Sequence, residues 1–215
     1  MPETLPLARR TPLKIGSILK VFGRLLSNKK VLGYIFCNSL SYSGMFCFLS
    51  AGSIVYTGLF GVAPKHFGYF FLLNILVMMT ATSLNGKFVT KIGIEKSLRL
   101  GLTIQLIAGV WLLVCGIFHL GLWATVVGVA TYVGLVSVVS SSANAAILDM
   151  YPEVAGTANS LTGMLRFGIG SVVGMLLALF TIDTERPMVF AMAICIVVAV
   201  ISYVGLVRGE PQAHN

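Results

Sequence analysis

The chain has 215 residues, of which 57% are hydrophobic and 10% charged, with a formal net charge of +8 and a mean hydropathy of +0.93. An apolar content this high excludes an ordinary soluble domain. The basic residues cluster at the ends of apolar runs and not along a soluble face, so the positive charge does not point to nucleic acid.

Residues 1–30 lack the apolar core of a cleavable signal, so the first membrane span is expected to direct insertion. Within them, residues 13–27 read as a basic amphipathic helix. Ile15, Ile18, Leu19, Phe22, Leu25 and Leu26 fall on one stripe, with Lys14, Lys20 and Arg24 off it. Such a helix suits the headgroup layer of a membrane.

Six apolar stretches follow, at about 31–57, 67–86, 98–118, 122–148, 155–180 and 187–207. Each is long enough to cross ~30 Å of hydrocarbon at 1.5 Å per residue. The connections are too short for a domain outside the membrane: Ala63-Pro64, His119-Leu120-Gly121, Tyr151-Pro152-Glu153, and Thr181 to Pro187. The expected organisation is a segment over 1–30, a six-helix bundle over 31–207 and a tail over 208–215. With the N-terminus in the cytoplasm, twelve Lys and Arg residues fall inside and two, Lys65 and Arg186, outside. The positive-inside rule therefore places both termini in the cytoplasm.

Polar residues recur at helical spacing in four of the six spans. Asn38, Ser41, Tyr42 and Met45 share a face in the first, and Asn74, Met78, Thr82 and Asn85 in the second. Ser137, Ser140, Ser141 and Asn144 repeat the pattern in the fourth; Asn159, Thr162, Gly163 and Arg166 do so in the fifth. The third and sixth spans are greasier. Spans one, two, four and five are therefore expected to enclose a polar interior, with three and six facing lipid. The alternative for any one Ser, Thr or Asn is helix-to-helix glue. The order polar, polar, apolar occurs twice, as an inverted 3+3 repeat would give.

Arg166 stands out because it lies near mid-membrane, where a charge is costly and avoids lipid. No acid lies deep in any span, so carbonyls, Asn, Ser, water or another chain must satisfy it. Gly168, Gly170 and Gly174 follow, the last two forming a GxxxG that lets a neighbouring helix approach closely. Cys37, Cys47, Cys115 and Cys195 read as small packing residues. No nucleophile–base pair, metal-ligand spacing or phosphate loop marks an enzyme, and no cofactor is implied.

Three segments together resemble a known family. Residues 2–10 resemble the segment that opens the central loop of major facilitator superfamily drug exporters. Residues 86–96, GKFVTKIGIEK, are similar to the second copy of that superfamily's cytoplasmic loop motif, G-x-x-x-D-R-x-G-R-R. Gly86, Lys91, Gly93 and Lys96 match in kind, while Thr90 replaces the acid and Glu95 a base. Residues 152–170 resemble the junction of the tenth and eleventh helices in the bicyclomycin-resistance (Bcr/CflA) drug:proton antiporters, Arg166 included.

The resemblance implies an all-α membrane protein of six transmembrane helices, one half of a major facilitator fold with its 3+3 inverted repeat. It implies multidrug efflux by antiport against a proton gradient in a bacterial inner membrane. Asn38, Ser41, Tyr42, Met45, Asn74, Met78, Ser141, Asn144 and Arg166 would line the substrate path. The expected partners are the lipid bilayer, a small amphipathic drug-like substrate, and an N-terminal six-helix half or a second copy. The alternative from another class is a non-transporting fragment or a membrane partner that modulates another transporter. Met1 directly before the interhelical segment is what a reading frame broken at the midpoint would give.

Overall fold

The computed structural model describes residues 15–180 and 184–208. A short helix α1 (Ile15–Ser27) leads into six long ones. These are α2 (Lys29–Ser53, continuing as a wider π-turn over Ile54–Leu59), α3 (Pro64–Ile92), α4 (Ile94–Phe118), α5 (Leu122–Met150), α6 (Ala155–Ala178) and α7 (Arg186–Tyr203, with π-turn Val204–Arg208). All six are long and apolar enough to cross a membrane.

Local chemistry sets where each helix starts and stops. Asn28 separates α1 from α2: its Oδ1 accepts from the Lys30 and Val31 amides at 3.0 and 3.2 Å, and its Nδ2 donates to the Tyr151 hydroxyl at 3.0 Å. Those two amides are among the orphan donors that every helix start must satisfy. Pro64 opens α3, where its missing N–H costs nothing. A single residue, Gly93 at φ +87°, reverses the chain between α3 and α4, a backbone state that side chains rarely adopt. The membrane segments thus follow one another with almost no loop between them. The second runs through Ile92, six residues beyond the expected 67–86.

Helices α2 and α5 form the centre. Helices α6 and α7 pack on α2, while α3 and α4 pack on α5; α2 also meets α5, and α4 meets α7. The arrangement is a 3+3 repeat. The first helices of the two triplets (α2, α5) pair centrally, and the middle helix of each triplet lies on the first helix of the other. Because two spans, α3 and α4, lie between α2 and α5, the two run antiparallel and the triplets are inverted.

Exposed apolar surface is spread over more helices than the expectation named. Helices α4 and α7, expected to face lipid, each bury one face and expose the other: Leu98, Leu112, Met188, Val189, Met192 and Ile196 are fully buried, while Leu100, Ile107, Trp111, Ile194 and Ile201 point outward. The most exposed helix is α3, whose single buried residue is Asn74, and α6 exposes Met164, Phe167, Val172, Met175 and Leu176. An all-apolar helix is equally content against lipid or protein, so greasiness alone does not tell which neighbour it has. Gln105 is the signal within the greasy third span. It is fully buried, accepting from Ser41 Oγ at 2.7 Å and donating from Nε2 to the Tyr132 carbonyl at 3.1 Å, which ties α4 to both α2 and α5.

Helices α4 and α7 are also joined at both ends. At one, Arg186 donates from Nε to the Gly116 carbonyl at 3.0 Å and from Nη2 to His119 Nε2 at 2.9 Å, and His119 Nδ1 lies 2.7 Å from the buried Glu185 carboxylate. Since Arg can only donate, His119 Nε2 must accept, and Nδ1 carries the proton toward Glu185. At the other end the Tyr203 hydroxyl donates to Glu95 at 3.4 Å.

Helix α1 seats only one edge of its apolar stripe. Leu25 is buried against the bundle, Leu19 and Leu26 stay exposed, and Arg24 lies 3.8 Å from Glu153 and over the Tyr151 ring. The Ile15 side chain and Lys14 lie outside the described residues, as do residues 2–10, Asp183 and Glu210.

Close helix approach depends on particular glycines. A Cβ on Gly44 would strike the Tyr132 phenol, and one on Gly170 or Gly174 would meet Phe46 at 2.6 Å or Ser50 Oγ at 2.8 Å. Gly168, expected to share this packing with Gly170 and Gly174, instead faces open space, because one residue on a helix turns the side-chain direction by ~100°. Gly44→Val should therefore lower stability by about 1–3 kcal/mol through overpacking, read as a drop in the thermal midpoint of the detergent-purified chain. Gly168→Val should leave that midpoint unchanged; equal drops would refute the assignment.

Candidate functional site

Because α2 and α5 run antiparallel, residues one turn along α2 face residues one turn back along α5. Asn38 Nδ2 donates to Asn144 Oδ1 at 3.5 Å. One turn on, Tyr42 stands opposite Ser140, and Arg166 of α6 reaches between them. Its Nη1 donates to Ser140 Oγ at 2.7 Å, and its guanidinium carbon lies 4.8 Å above the Tyr42 ring centroid and 4.9 Å from that of Phe167. Three helices thus converge on one cation.

Two aromatic rings, set edge to face, hold the guanidinium by its positive charge, and an uncharged hydroxyl accepts one hydrogen bond. The rings are themselves packed: Tyr42 and Phe167 lie 5.4 Å apart edge to face, and Phe46 lies 5.7 Å from Tyr42 and 6.4 Å from Phe167. Arg166 Nε and Asn38 Oδ1 are buried with no hydrogen-bond partner among the described residues. One is a donor and the other an acceptor, so the seam retains capacity for both kinds of polar group.

Of the nine residues expected along a substrate path, Asn38, Tyr42, Asn144 and Arg166 meet here. Met45, Asn74 and Met78 line a separate cavity of about 30 Å³ between α2, α3 and α5, together with Phe48, Phe71 and Val133. That space holds no more than a water. Ser141 is exposed and accepts from Asn85 of α3 at 3.5 Å. Ser41 does not belong to the seam: fully buried, it is committed to Gln105. It follows Leu40 and precedes Tyr42, and the face shared at i, i+3 and i+4 is wide enough for its edges to meet different helices.

Beyond those nine, Ser140 and Phe167 prove to be direct neighbours of Arg166. Ser140 was visible in the spacing of the fourth span. Phe167 had only its adjacency to the arginine as a signal. In the loop motif, Gly86, Lys91, Gly93 and Lys96 are all exposed around the α3–α4 reversal.

The family model described as the Major Facilitator Superfamily matches residues 2–175. The chain is 46% identical over 203 residues to a bicyclomycin resistance protein homolog of Haemophilus influenzae, covering 94% of this chain and 51% of that protein. It is 29% identical over 208 residues to the uncharacterized MFS-type transporter YdgK of Bacillus subtilis, covering 97% of this chain and 52% of that one. No solved structure matches. The chain spans about half the length of these curated relatives. With six apolar helices in a 3+3 arrangement and a family match across most of its length, this multi-pass membrane protein belongs to the Major Facilitator Superfamily.

Proposed function

We propose that the chain forms one wall of a multidrug exporter of a bacterial inner membrane, with both termini in the cytoplasm. It would exchange a small amphipathic compound for protons and carry out no enzymatic step. The observation that carries this reading is the seam around Arg166, where aromatic faces and unsatisfied polar atoms from three helices meet inside the bundle. A purely structural arginine would be expected to exhaust its donors within the chain. Arg166 leaves Nε open.

Transport in this reading needs a second six-helix unit, either an N-terminal half or a second copy. The relatives are about twice as long, and α3 and α6 present apolar faces that none of the described helices covers. Every acid of the sequence lies at a span end or outside the spans. A proton-binding carboxylate at membrane depth would then come from the other unit. The Haemophilus relative is named for bicyclomycin resistance, which makes that compound the first to test.

Expressed alone in a drug-sensitive host, the chain should not raise resistance to bicyclomycin or to amphipathic cations. Co-expression with the N-terminal half of a relative should. Resistance from the chain alone would refute the need for an N-terminal half and leave a second copy as the other unit, and none in either case, with both proteins in the membrane, would favour the non-transporting alternative.

In such an assembled transporter, Arg166→Ala removes a hydrogen bond from a charged donor, worth about 1.5–3 kcal/mol. Drug transport should fall about tenfold or more while protein level stays near wild type. Arg166→Lys should recover little, since an ammonium lacks the planar stacking surface. Matching losses of transport and protein level would make Arg166 a packing residue.

A further inference from the structure

The turn between α3 and α4 gathers Lys87, Lys91, Lys96 and Arg99 within thirteen positions, with Glu95 as the one acid among them. That acid is directed away, toward the Tyr203 hydroxyl of α7. The ion pairs among the described residues lie elsewhere. Lys96 and Arg99, three residues apart on one face of α4, border a cleft of about 380 Å³ with Ile92, Leu100 and Thr103. The start of α4 adds to the positive field: Gly93 offers it no side-chain cap, so its first amides and dipole favour an anion.

A second cleft, of about 450 Å³, begins where the first ends. Ile92 and Leu100 line both. It runs between α3 and α4, walled by Leu84, Phe88 and Ile104 and floored by Leu135 and Val138 of α5, with Asn85 and Ser97, hydrogen-bonded to each other, as its polar lining. The groove exists because α3 lies on α5 and touches α4 only slightly. From Ile92 to Leu84 it follows ~12 Å of helix, most of the ~15 Å depth of one leaflet's hydrocarbon. One continuous surface therefore has a cationic mouth at headgroup level and an apolar slot beneath it.

We propose that this groove is a binding site for an anionic diacyl phospholipid. Its phosphate sits on Lys96 and Arg99, and one acyl chain lies between α3 and α4. A zwitterionic lipid fits less well, because its ammonium group would meet the surplus of cations. The site goes beyond the proposed transport and does not depend on it. It also gives the loop motif a role suited to its departures: with Thr90 in place of an acid and Glu95 turned aside, its cations are left for an external anion.

The test is native mass spectrometry of the full 215-residue chain in a neutral detergent, titrated with dioleoyl-phosphatidylglycerol or dioleoyl-phosphatidylcholine. The first should bind preferentially. Lys96→Gln with Arg99→Gln should weaken phosphatidylglycerol about thirtyfold, two charges at about 1 kcal/mol each, and leave phosphatidylcholine unchanged. Ile104→Asn, which puts an amide into the acyl slot, should weaken phosphatidylglycerol as well. The substituted side chains are exposed, so folding is not at stake. Lys29→Gln with Lys30→Gln removes as much charge from the start of α2 and should have little effect. Unchanged phosphatidylglycerol binding in the first pair overturns the site. An equal loss in the second pair reduces it to general surface charge, and no effect from Ile104→Asn removes the acyl slot.

Discussion

The antiparallel contact of α2 with α5 is what the rest of the bundle depends on. Each other span lies against one or both of these two helices, and their shared face carries polar atoms inside an apolar bundle. In hydrocarbon such atoms must be satisfied by the protein, and that requirement selects the register. Asn38 opposite Asn144 and Tyr42 opposite Ser140 are successive rungs of one ladder. Sliding α5 by a single turn would separate both rungs. A second polar tie, Ser41 to Gln105, fixes α4 to the same framework from the other side of α2. Interhelical hydrogen bonds of this kind are individually modest, ~0.6 kcal/mol on average in a membrane protein, so their value here is specificity of register more than strength.

Arg166 shows how a cation can be kept at bilayer depth without a carboxylate. A buried ion pair would neutralise it but would also consume its donors. Ser140 and the Tyr42 and Phe167 faces hold the charge by weaker, partly directional contacts. The residue is only half-buried, so part of its hydration can remain. The result is a guanidinium held in place yet still able to donate, which a fully paired arginine is not. The glycines that follow serve the same end: Gly170 and Gly174 bring α6 close enough to α2 for Arg166 to reach Tyr42 and Ser140 together.

Much of this was legible beforehand, for physical reasons. Span number and fold class follow from hydrophobic length alone, since membrane thickness sets it. Arg166 was conspicuous because a charge in an apolar run has so few acceptable surroundings. What the pattern did not carry was which apolar face meets protein and which meets lipid. Helices α4 and α7, placed against lipid on their greasiness, expose one apolar face and bury the other; α3, with its stripe of Asn and Thr, has one buried residue. Helical spacing also grouped Ser41 with Asn38 and Tyr42, although three helices crowd α2 and divide its polar positions between them. Gln105 was the overlooked clue, a lone amide whose burial required two partners.

The distribution of polar ties also separates the bundle into a fixed part and a less constrained one. Helices α4 and α7 are joined at one end by Arg186, His119 and Glu185 and at the other by Glu95 and Tyr203, with Tyr34 of α2 6.4 Å from the Tyr203 ring. Helix α3 is tied by Thr82 to Ser137 and by Asn85 to Ser141 and Ser97, and α6 by Arg166 to Ser140, but neither is fastened at both ends and they bury the least of their length. Regions with few buried contacts are the ones that yield at low cost, so displacement of the bundle is cheapest at α3 and α6. Those two helices occupy equivalent places in the repeat. One carries Arg166, and the other borders the basic groove at its junction with α4. A change in how α3 lies on α5 would therefore alter the width of that groove, and a change in α6 would alter the distance from Arg166 to Ser140, while the α2–α5 contact and the α4–α7 pair stay as they are.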